Sequence, residues 1–134
     1  MNRSNLIAAV QEIADQLGYA FRSVPTEATP AHAPNLPLVV MTQPQFCKIE
    51  GRHHGKITYR TTLHIMQRGA KSSPNEECRL FDFAEATALD IFARLSTYNF
   101  VLAVEDLQMT PSARSLTTQG DVTISATADI ICPF

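Results

Sequence analysis

The stretch Asp121-Val122-Thr123-Ile124-Ser125-Ala126-Thr127-Ala128-Asp129-Ile130-Ile131-Cys132 alternates apolar and polar residues almost without a break. Val122, Ile124, Ala126, Ala128, Ile130 and Cys132 fall on one side, and Asp121, Thr123, Ser125, Thr127 and Asp129 on the other. Successive side chains of a strand leave on opposite faces, so this spacing predicts one long strand with a single buried face. Only Pro133 and Phe134 follow, and the expectation is a domain that finishes by completing its sheet, with no tail.

Working back from that strand, Pro111 to Gly120 is a polar connection and Phe100–Leu107 reads as another strand. Ser73-Pro74-Asn75-Glu76 has the form of a capping box. The serine accepts from the backbone N–H of the third helical residue, the glutamate returns a bond, and proline stands where its missing donor costs nothing. The helix it opens runs toward Ser96, with Leu80, Ala84, Ala88, Ile91 and Leu95 as an apolar stripe widened by Phe81 and Phe92. Asp82, Glu85, Asp90 and Arg94 lie opposite.

Before that helix, Ile57, Tyr59, Thr61, Leu63 and Ile65 alternate with Thr58, Arg60, Thr62, His64 and Met66, a second long strand. Gly51-Arg52-His53-His54-Gly55 reads as a hairpin connection to a strand at Gln45–Glu50, and Leu38–Met41 as a strand buried on both faces. Pro25, Pro30, Pro34 and Pro37 punctuate a long loop over 25–37; a loop of that length in a compact domain is functional or unstructured, so it is a candidate contact element. Leu6, Val10, Ile13 and Leu17 set a first helix over 4–17, ended by Gly18, and Tyr19–Val24 continues as an extended piece. The order α-β-β-β-α-β-β predicts one α+β domain spanning 1–134. Its sheet is mostly antiparallel, of about five strands, with both helices on one face.

The chemistry-bearing residues do not form a known signature. Cys47, Cys78 and Cys132 lack C-x-x-C spacing, which predicts reduced cysteines used as small apolar side chains. Cys47 is expected to be buried and inert. His53 and His54 are adjacent, so on a strand they point to opposite faces, and no metal site is read there. The five glycines are isolated and form no phosphate loop. A net charge of −2 disfavours a surface built to grip nucleic acid; the one basic concentration is Lys48, Arg52, His53, His54, Lys56 and Arg60. No apolar run reaches the length of a membrane span and no signal peptide is read, which predicts a cytoplasmic protein. No catalytic residue, cofactor site or metal site is assigned, and action through surfaces is expected instead.

The sequence of elements resembles the tail-terminator (tail-completion, head–tail joining) proteins of long-tailed bacteriophages and prophages. The likeness rests on an amphipathic helix like Leu6–Leu17, a Pro-containing segment, and strands like Leu38–Met41 and Ile57–Met66. A helix like Asn75–Leu95, a strand like Phe100–Leu107 and a closing strand like Val122–Ile131 complete it. It is one of pattern and length over nearly the whole chain.

The resemblance implies a non-enzymatic virion assembly protein that forms a homo-oligomeric ring, a hexamer in such proteins. The ring caps the tail tube and joins it to the head-side connector. It implies assembly in the bacterial host cytoplasm, residence in the virion tail, passive contact with DNA in a channel, and no membrane. Candidate interaction residues are Pro30, His32 and Pro34 in the loop, Arg52, His53, His54 and Lys56 at the hairpin, and Thr123, Ser125 and Thr127 on the closing strand. The alternative is a small-molecule-binding or enzymatic α+β domain, for which Tyr59, Arg60 and His64 are the first residues to inspect.

Overall fold

In the computed structural model the described residues are 2–24, 37–51, 55–67, 74–111 and 122–133, with the side chains of 74–77 outside the description. Helix α1 (Asn2–Gln16) turns Leu6, Ala9, Val10, Ile13 and Ala14 inward, as its three- and four-residue spacing requires. Gly18 follows with φ of 80° and no atom within 4 Å of the place a Cβ would take. Its conformation is the left-handed one that ends many helices. Gly18→Ala is expected to cost about 1–2 kcal/mol through backbone strain alone, since nothing clashes; a thermal unfolding curve indistinguishable from wild type would contradict this.

The remaining elements are β1 (Ala20–Val24), β2 (Leu38–Thr42), β3 (Gln45–Glu50), β4 (Lys56–Gln67), α2 (Pro74–Leu95), β5 (Ala103–Pro111) and β6 (Val122–Pro133). The sheet runs β1-β2-β4-β6-β5, and β3 pairs with β4 beside β2. β4 is its spine. One edge pairs antiparallel with β6 from Lys56 opposite Pro133 to Gln67 opposite Val122. The other edge is shared: β2 takes Leu63–Met66 and β3 takes Lys56–Arg60. Between β2 and β3 stand Gln43 and Pro44, and a proline has no N–H to give a ladder.

The expected architecture changes in two respects. The sheet has six strands, and it is mixed, because β1 pairs parallel with β2, Ala20 opposite Leu38 and Val24 opposite Thr42. The order is therefore α-β-β-β-β-α-β-β. Ala20-Phe-Arg-Ser-Val24 is too short to carry a pattern of its own; its partner β2, buried along its whole length, makes it a strand. The strand expected at Phe100–Leu107 begins at Ala103 and extends to Pro111. Phe100 and Val101 serve the core from the turn after α2, Val101 buried and Phe100 edge-on to Tyr98 at 5.7 Å.

Both helices cover one face. Leu6, Val10 and Ile13 of α1 and Ala84, Ala88, Ile91 and Leu95 of α2 meet Val39 and Met41 of β2, Leu63 and Ile65 of β4, and Ile124, Ala126, Ala128, Ile130 and Cys132 of β6. The apolar phase read from the closing strand is thus the core phase. On the opposite face Leu38, Val40 and Met66 form a second buried cluster with Ala20 and Val24 against it. Ser73, the expected cap, and the hairpin turn at 52–54 lie outside the described residues.

Candidate interaction surfaces

The polar side of β6 is joined to β4 by a ladder of cross-strand pairs. Arg60 Nε donates to Asp129 Oδ1 at 3.2 Å, the hydroxyls of Thr62 and Thr127 meet at 3.2 Å, and His64 Nδ1 and Ser125 Oγ lie 2.8 Å apart. Each pair is directly opposite in the strand register, so side chains only one or a few bonds long reach each other. Thr123, opposite Met66, is almost wholly buried. Asp129 and the candidates Ser125 and Thr127 therefore meet polar partners inside the chain, and the candidate Thr123 is buried rather than presented to a neighbour. Of the other candidates, Lys56 is exposed at the start of β4. Pro30, His32, Pro34, Arg52, His53 and His54 lie outside the described residues.

Beside this ladder the same face forms a shallow groove of about 310 Å³ lined by Arg60, Asp106, Gln108, Thr127 and Asp129. It continues past Lys48, Glu50, Lys56 and Glu105. Asp106 enters it through backbone irregularity. The β5–β6 register shifts between Glu105 and Gln108, and Asp106 has φ of 53°. An aspartate tolerates that left-handed conformation better than most residues, and the bulge lets Leu107 reach the core while Asp106 lines the groove.

Two ion pairs stand in the groove, Lys48–Glu50 and Arg60–Asp129. Lys48 Nζ lies 2.8 Å from Glu50 Oε1. Hydrogen bonding to Glu50 raises the Lys48 pKa, and the same bond lowers that of Glu50. Hydrogen bonding to Asp129 likewise raises the Arg60 pKa. A small-molecule site needs a concave, largely apolar pocket with a few convergent polar groups. This groove is open and lined mostly by charged groups. Tyr59, Arg60 and His64 do not converge: Tyr59 packs against the helix-side core, whereas Arg60 and His64 join Asp129 and Ser125 on the other face. Among the described residues no cluster of three His, Cys, Asp or Glu could hold a metal, and no helix is long and apolar enough to cross a membrane.

Sequence reading missed the exposed apolar residues. Two rows cross the helix-side face near the β3–β4 hairpin: Ile49–Ile57–Cys132, and Phe46–Tyr59–Ile130–Val104. Exposure rises outward along each, from fully buried Cys132 and Ile130, through half-buried Ile57 and Tyr59, to Ile49 at 47% and Phe46 at 54%. Alternation would put Phe46 and Ile49 on opposite faces, because they are three residues apart. A register shift between Phe46 and Lys48 places Cys47 as an extra residue and puts both on the same face. Cys47 is exposed, contrary to expectation, because a bulged residue on an outer strand has no second layer over it; Cys78 is exposed as well, and only Cys132 is a core cysteine.

Helix α2 holds the second apolar surface. Phe83 is 58% exposed and Leu89 50%, while Ala86 and Ala93 are exposed on the same outer side. At 100° per residue these four fall within about a third of the helix's circumference, a sector that Asp82 and Asp90 share. The signal was present in the sequence: Phe83 and Leu89 fall outside the stripe running from Leu80 to Leu95.

No family model matches the chain, and no curated protein matches it. Among solved structures, the chain is similar to a chain of a structure described as the virion of a native gene transfer agent (GTA) particle. The TM-score is 0.55 at 14% identity, covering 96% of this chain and 95% of that one. At that identity the likeness is one of fold, and it runs nearly end to end in both chains.

Proposed function

We propose that this chain is a structural, non-catalytic component of a phage-like particle, and within that class a tail terminator. The observation that carries the proposal is the fold shared almost end to end with a chain of a gene transfer agent virion. The surfaces support the same reading. On the open sheet face Lys48 pairs with Glu50 and Arg60 with Asp129, and apolar side chains stand uncovered on two separate elements. Uncovered apolar patches are a usual mark of protein–protein contact.

In this role copies of the chain form a ring, a hexamer on the tail-terminator resemblance, that closes the end of the tail tube and presents its other side to the head connector. Assembly takes place in the host cytoplasm and the ring remains in the particle. DNA passes the ring without being gripped, in keeping with the net charge of −2.

Mass in solution, measured by light scattering across a concentration series with and without the tail-tube protein of the same particle, tests the proposal. The expected result is a closed ring of about six copies, favoured by concentration or by tube protein. A monomer throughout, with tube protein present, would overturn it.

A further inference from the structure

We draw no further inference here: the strongest candidate, the apolar patch that Phe46 and Ile49 form on β3 beyond the reach of the helices, carries nothing because nothing in the structure shows what covers it.

Discussion

Ile65→Ala is expected to lower the free energy of unfolding by about 2–5 kcal/mol, a large part of the about 5–15 kcal/mol that stabilises a domain of this size. Ile65 lies on β4 between Val39 of β2 and Ile124 of β6, and all three are fully buried beneath the helices. Removing three carbons there leaves a cavity between three strands and two helices, and close packing allows only partial collapse. Urea unfolding should show a lower midpoint with an unchanged slope. Ile49→Ala, removing the same atoms from the uncovered overhang, is expected to stay within about 0.5 kcal/mol of wild type. Equal effects at the two positions would contradict the description of a covered centre and a bare hairpin.

The second large effect concerns a buried polar cluster that ties both layers together. Tyr19, just after α1, meets Thr87 of α2 at 2.9 Å and receives a hydrogen bond from Gln67 Nε2 at the end of β4. The directions follow from counting protons. Thr87 donates its only hydroxyl proton to Phe83 O at 3.0 Å, so it accepts from Tyr19. Tyr19 donates to Thr87 and accepts from Gln67. Tyr19→Phe strands a buried amide donor and a buried hydroxyl acceptor, at a cost of about 1–3 kcal/mol.

The pH dependence of this variant follows from burial. Desolvation raises the Tyr19 pKa above the ordinary value, outweighing its hydrogen bonds to Thr87 and Gln67, which lower it. A pKa higher in the folded than in the unfolded state gives a contribution that is fully present below the unfolded value and lost as pH rises toward the folded one. The stability gap between wild type and Tyr19→Phe should therefore be constant below about pH 9 and narrow above about pH 10. A gap that stays constant through the alkaline range would show that Tyr19 ionises in the fold as readily as in water.

Local pattern was legible wherever one element's own residues decide its state. The alternation of β6 and of β4 placed every side chain on its correct face, because a period of two ties position to face. The stripe from Ala84 to Leu95 marked the buried side of α2, and the unbroken apolar run Leu38–Met41 marked a strand covered on both sides. The pattern misled where a neighbour decides. β1 exists as a strand because β2 lies alongside it, and the irregularities at Cys47 and Asp106 arise where the pairing register slips, which no local spacing records. Phe100 and Val101 had strand-like composition and serve the core from a turn.

The candidate surface divides along the same line. The closing strand's Ser125, Thr127 and Asp129 were readable as the side away from the core, but their partners were not. Arg60, Thr62 and His64 lie more than sixty residues earlier, and only the β4–β6 register brings them opposite. By itself, the sequence determined which residues of each element turn inward, since that follows from the geometry of a single strand or helix. The tertiary structure alone decided that Phe46 and Ile49 share one face and stay uncovered. They are as hydrophobic as the core residues; they are exposed because the register slips at Cys47 and the helices, lying over β4 and β6, stop short of β3.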